Sequence, residues 1–275
     1  MNSLILWIIV FTLLGGVLSV ILASFFLLLP ATFRTRLLPA MVSFAIGTLL
    51  GAAFLGILPH ALEETGSGPK VMGTVLVGLL IFFLLEKMVL WRHCHTDECE
   101  GHAPDAGHGR ASASGYLILI GDGIHNLVDG VLIAAAFLAD IHLGVITSLA
   151  VMAHEIPQEL GDFAILLHSG FSRGRALLFN ALSGMTMVIG GVVAYFFLSN
   201  AQDVIPYVLA IAASSFIYIA VADLIPGLHK RLEMHVTIQQ IVLILSGVGV
   251  IYLAPDLLAS FSYKLYHFFG MTTLY

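Results

Sequence analysis

Two strings place chemistry-bearing residues at helical spacing inside long apolar runs. The first, GDGIHNLVDG, holds Asp122, His125, Asn126 and Asp129, whose offsets of 0, 3, 4 and 7 put all four on one side of a helix. The second, HEIPQELGD, holds His154, Glu155, Gln158, Glu159 and Asp162, with His154, Gln158 and Asp162 recurring every four residues beside Glu155. Imidazole, carboxylate and amide oxygen are ligands for borderline and hard divalent cations, and a ring nitrogen at i with an oxygen at i+4 can reach one ion. An ionised Asp near the centre of a lipid-facing helix costs ~2.5 to 3.5 kcal/mol on insertion scales. Left unpaired there, Asp122, Asp129, Glu155, Glu159 and Asp162 would together cost roughly 12 to 18 kcal/mol. These groups therefore turn toward one another, toward water or toward a cation.

The elements that must position them are membrane rods. Of 275 residues, 59% are hydrophobic and only 10% charged, outside the range of a soluble domain. Apolar runs near 4–29, 39–60, 71–91, 115–138, 143–168, 175–198, 204–226 and 236–259 are each long enough to span a hydrocarbon core of ~30 Å. The expected fold is an all-α polytopic membrane protein of eight transmembrane helices, one domain over 1–275. The first run has no basic residue before it and outlasts a signal peptide's apolar core, so it is expected to stay as a helix.

Cations sort the connections. Arg34, Arg36, Lys87, Arg92, Arg110, Arg173, Arg175, Lys230 and Arg231 fall on one side, leaving only Lys70 and Lys264 of the 11 basic residues on the other. The positive-inside rule makes the first side cytoplasmic and places both termini on the non-cytoplasmic side of a plasma or inner membrane. Helix four then runs outward and helix five inward, so residues 125–129 and 154–158 meet near mid-membrane. The lipid bilayer and metal ions are the expected partners, and no nucleic acid is.

Lesser features surround the stripes. Residues 93–114 are expected as a flexible cytoplasmic loop rich in His, Cys and acids; Cys94 and Cys99 in it match no closed zinc module, and a disulfide is not expected on that side. Its composition fits a loose metal-collecting strand or a plain polar linker. Pro157 removes one amide donor and clashes with the carbonyl of Ala153, a break tolerated where backbone faces a cavity. Gly121, Gly123, Gly130 and Gly161 would allow close helix approach. His60, Glu63 and Glu64 end helix two on the outside, where a cation would be gathered. On the inside Asp122, Asp162, His168 and Asp223 could form a release path, with His229 beyond; His168 and His229 read equally as interfacial residues reaching water. The strings ILPHAL and LIPGLH finish on opposite faces and hint at an inverted repeat of helices 1–3 and 6–8 around helices 4–5. Gly47 and Gly51 form a GxxxG that serves internal packing or a homodimer face.

HNLVDG in helix four, HEIPQELGDFAILL in helix five, LPHALEE, FIYIAVADLIP and the His-rich loop together resemble the ZIP (Zrt/Irt-like) divalent-metal transporters over nearly the whole chain. The helix-five string resembles the branch whose signature is HExPHExGD. The resemblance implies a first metal position made by His125, Asp129, His154 and Gln158, and a second involving Asn126 and Glu155. Two departures bear on it: Gln158 stands where that branch has a second His, and Met187 where many members carry a helix-six Glu, although Asn180 and Ser183 offer oxygens nearby.

The expected activity is transport of a divalent cation into the cytoplasm, zinc foremost, with iron, manganese and cadmium as other cargoes. No resident cofactor and no enzymatic activity are expected. A mixed nitrogen and oxygen site without thiolate suits release better than a structural Cys site does, and argues against Cu⁺. The rival is an intramembrane zinc hydrolase, since HEIPQ is one residue short of H-E-x-x-H. A metal-sensing receptor that binds without flux is a third class.

Overall fold

The structure is a computed structural model and describes residues 2–93, 108–230 and 233–268. All regular structure among them is helical. Eight long helical stretches follow in chain order: α1 (2–27), α2 (31–65), α3 (Gly68–His93), α4 (His108–Ala139), α5 (Ile141–His168), α6 (Arg173–Leu198), α7 (205–228) and α8 (Met234–Phe268). Seven of them are long and apolar enough to cross a membrane. The exception is α5, which has 28 residues but loses apolarity to His154, Glu155, Gln158, Glu159 and Asp162.

Several ends differ from expectation. Helix α2 starts eight residues early, at Ala31, because Pro30 stands outside the first turn while Pro39 is carried within the helix. The Ser43 hydroxyl donates to the Pro39 carbonyl at 2.8 Å, one turn back along the helix. Residues 108–114, expected in the loop, form the first turns of α4; adding residues to an existing helix is far cheaper than nucleating one. Residues 94–107, with Cys94 and Cys99, lie outside the described residues.

A single residue joins α4 to α5. Asp140 has extended backbone (φ −157°, ψ 141°), and its Oδ1 accepts the Leu143 amide at 2.9 Å, capping α5. The main apolar core is shared by α2, α4, α5 and α7, and Ile8 of α1, Met187 of α6 and Ile251 of α8 join it. Gly130 lets α4 touch α6 backbone to backbone: a Cβ there would stand 1.9 Å from the Met187 carbonyl oxygen. Met187 is fully buried in this seam and also faces Gly15 of α1. Gly123 approaches the Ser183 hydroxyl, but Gly121 and Gly161 face open space and mediate no helix approach, contrary to expectation. Gly47 and Gly51 pack on Ile244, Val248 and Ile251 of α8, so this GxxxG is internal and offers no dimer face.

Helices α2 and α7 share a distortion. Each has a six-residue π-helical segment, Ala52–Ile57 and Ile219–Leu224, followed at once by Leu58-Pro59 or Ile225-Pro226. A proline that lacks its amide and crowds the preceding turn accounts for the widened backbone in both. The regular part of each helix packs against the π segment of the other. A third π segment, Leu14–Leu18 in α1, contains Gly15-Gly16 rather than a proline.

Candidate metal centre

Helices α4 and α5 bring four side chains together. His125, Asp129, His154 and Glu155 each offer one ligand atom, all within 4.8 Å of one another. His125 Nε2 lies 3.4 Å from His154 Nε2, 3.4 Å from Glu155 Oε1 and 3.9 Å from Asp129 Oδ2. His154 Nε2 lies 3.2 Å from Asp129 Oδ2 and 3.6 Å from Glu155 Oε1. Four donors about 2.0 to 2.1 Å from a tetrahedral zinc ion are separated by about 3.3 to 3.4 Å along each edge. Four of these five edges, at 3.2–3.6 Å, already lie near that length, and the His125–Asp129 edge is longer at 3.9 Å.

Electrostatics point the same way. Asp129 and Glu155 are fully buried, and among the described residues none of their four carboxylate oxygens has a hydrogen-bond partner. Buried carboxylates without donors are costly unless a cation accompanies them. The His154 Nδ1 sits 3.1 Å from the Ala150 carbonyl. A carbonyl only accepts, so Nδ1 carries the proton and the Nε2 lone pair of the neutral ring is left facing the cluster. The His154 ring also meets Phe216 of α7 edge-on, with centroids 6.2 Å apart. His125 is the one member with access, its side chain 23% exposed against 0–1% for the other three.

The remaining expected ligands divide differently. Gln158 turns from the cluster and donates from Nε2 to Asp122 Oδ1 at 3.4 Å. Asn126 donates to the same oxygen at 3.0 Å and to the Asp122 carbonyl at 3.2 Å. Glu155, expected in a neighbouring position, takes the place beside the two histidines that Gln158 was expected to hold. Asn126 Oδ1, Asp122 Oδ2, Asn180 Oδ1 and both oxygens of Glu159 are buried without hydrogen-bond partners among the described residues. Glu159 is one of the five carboxylates that must turn from lipid but belongs to neither expected metal position; its i+4 relation to Glu155 is the signal for the place it takes. Asn180 binds α6 to this turn by donating to the Glu159 carbonyl at 3.4 Å.

The outlying candidates stay apart from the cluster. His60 Nε2 lies 3.5 Å from Glu64 Oε1, and Glu63 is exposed. His60 lines a cavity of about 400 Å³ together with Asp140 and His142, two residues the sequence did not single out. His142 Nδ1 is 3.6 Å from Asp140 Oδ1. His168 is exposed at the end of α5, with Nδ1 donating to the Ala164 carbonyl at 2.8 Å, which fits the interfacial role. Asp223 and His229 are exposed near the end of α7, and Asp162 is half-buried on α5. The Tyr218 hydroxyl donates to the Glu86 carboxylate, linking α7 to α3.

Long apolar helices around a buried nest of imidazoles and carboxylates define a polytopic integral membrane protein whose four clustered side chains could hold a metal ion. The pattern of the ZIP Zinc transporter family matches residues 3–113 and 92–254. The chain belongs to that family. The zinc transporter foi of Drosophila melanogaster is 43% identical over 157 residues, 54% of this chain and 22% of that protein. Zinc transporter ZIP13 of Gallus gallus is 32% identical over 275 residues, covering 80% of this chain and 74% of that one. Human zinc transporter ZIP5 is 33% identical over 290 residues, 80% of this chain and 54% of its own length. The chain therefore spans between about a fifth and three quarters of these relatives.

Proposed function

We propose that this protein carries divalent transition-metal ions, zinc foremost, across the membrane into the cytoplasm, with His125, Asp129, His154 and Glu155 as the station at which the ion is held. The observation that carries this reading is the set of ligand-atom separations of 3.2–3.9 Å among groups whose carboxylate oxygens lack any other partner. The names of the relatives support zinc as cargo. Iron, manganese and cadmium fit the same donors. In this reading α5 is the eighth membrane crossing, its polar stripe turned to α4 rather than lipid, and both termini lie outside the cytoplasm.

The paired π segments of α2 and α7, each ending at a proline and each packed on the other helix, support an inverted repeat about α4 and α5. A hydrolase fits the geometry less well. Catalytic zinc keeps an open position and a free general base, whereas Glu155, the would-be base, is itself within the ligand nest and Gln158 faces Asp122.

Isotope flux into sealed proteoliposomes tests the proposal. Zn²⁺ should accumulate in vesicles bearing the wild-type chain and not in those bearing His154→Ala. Equal accumulation by both, or cleavage of a membrane substrate without flux, would overturn it.

A further inference from the structure

Away from the metal centre, Arg34 and Arg173 come from positions far apart in the sequence and line one cavity of about 340 Å³. Its other walls include Leu27 of α1, Phe163 and Leu167 of α5, and Leu177 of α6. Among the described residues no carboxylate lines it. Among the described residues neither guanidinium pairs with an acid, and the Arg34 Nε is buried without a hydrogen-bond partner. An unsatisfied buried guanidinium nitrogen calls for an acceptor, and a second cation beside it calls for an anion.

The place in the fold narrows which anion. Arg173 is the first residue of α6 and Arg34 lies in the first turns of α2, so both sit where apolar spans meet the membrane surface. The positive ends of those two helices add to the local potential. Guanidinium groups bind phosphate oxygens through paired N–H donors, and basic pockets between transmembrane helices take lipid head groups. The apolar remainder of the cavity suits hydrocarbon and not a free, fully hydrated ion. We propose that this cavity binds an anionic glycerophospholipid of the adjoining leaflet, its phosphate between Arg34 and Arg173 and the start of an acyl chain against Leu27, Phe163 and Leu177. Because Phe163 and Leu167 belong to the helix that carries His154 and Glu155, the occupant joins the leaflet to the ligand-bearing element.

Native mass spectrometry of the purified full chain, exchanged into mixed micelles with phosphatidylglycerol or phosphatidylcholine, tests the site. The wild type should retain phosphatidylglycerol over phosphatidylcholine, and Arg34→Gln with Arg173→Gln should lower that retention by about tenfold or more, as expected for losing charge-assisted hydrogen bonds. Arg175→Gln removes an exposed charge outside the cavity and should leave retention unchanged. Equal retention by the wild type and a monodisperse double variant would overturn the proposal, as would an equal loss in Arg175→Gln. Displacement of the lipid by millimolar inorganic phosphate would reassign the cavity to a small anion and overturn the lipid assignment. Should the double variant not stay monodisperse, the same comparison on each single variant decides.

Discussion

The Nε2 atoms of His125 and His154 lie 3.4 Å apart although they sit on different helices, fifteen residues before and fourteen after the one-residue turn at Asp140. At about 1.5 Å rise per residue, each arm carries its imidazole about 21 to 23 Å from that corner. Equal arms are what bring the two rings to one depth. Asp140 thus sets the register of the site from one end of the hairpin.

Removing the cap should loosen this corner. Asp140→Ala is expected to cost about 1 kcal/mol, the usual loss at an N-cap, and Asp140→Asn, which still offers an oxygen to Leu143, should cost less. Thermal melts in detergent read the order, and an Ala variant as stable as wild type would mean that packing alone holds the turn.

Zinc affinity should fall about a hundredfold or more in Glu155→Gln, at least the largest loss typical of a supporting group, because a ligand charge is removed from the nest. Gln158→Ala should change affinity less than about threefold, since that amide is already engaged by Asp122 rather than the cluster. Competition against a chelating dye measures both. Reversed sensitivities would restore Gln158 to the ligand set that the family resemblance implies.

Here the limits of the sequence are physical. Helical periodicity places Asp122, His125, Asn126 and Asp129 on one face, and near-equal arms from the α4–α5 corner put His125 and His154 at one depth; both follow from backbone geometry. Whether Glu155 or Gln158 swings into the nest depends on side-chain torsions and on Asp122 competing for the amide, which no spacing encodes. The glycines divide for a related reason. Gly130 meets the α6 backbone while Gly161 meets nothing, because contact depends on a neighbour supplied from far along the chain. Asp140 and His142 escaped notice because they line a cavity with His60 only once α2 and the α4–α5 corner are side by side.

That division predicts opposite outcomes for equal chemistry. Gly130→Ala forces a Cβ to within 1.9 Å of the Met187 carbonyl, where only backbone can yield. A loss of about 3 kcal/mol, the upper end of overpacking, is expected. Gly161→Ala meets no atom within 4 Å and should be neutral or gain up to about 1 kcal/mol of helix propensity. Parallel melting curves would contradict the α4–α6 contact if the first variant were the more stable.

Acid should unload the ion. An imidazole binds metal only with a free lone pair, so protons compete with zinc for His125 and His154, the two rings whose Nε2 atoms face the nest. A neutral ring is the metal-binding form, and protonation both removes that lone pair and sets a positive charge against the cation. Loading at a fixed, sub-saturating zinc concentration should therefore decline as the pH falls, with the midpoint shifting downward as zinc is raised. Competition moves the midpoint with each change in zinc, and because bound zinc also stabilises the folded state, circular dichroism across the same pH series must show that helicity persists through the unloading. Dye competition at two zinc concentrations reads the shift, and a midpoint indifferent to zinc would mean that these imidazoles do not hold the ion.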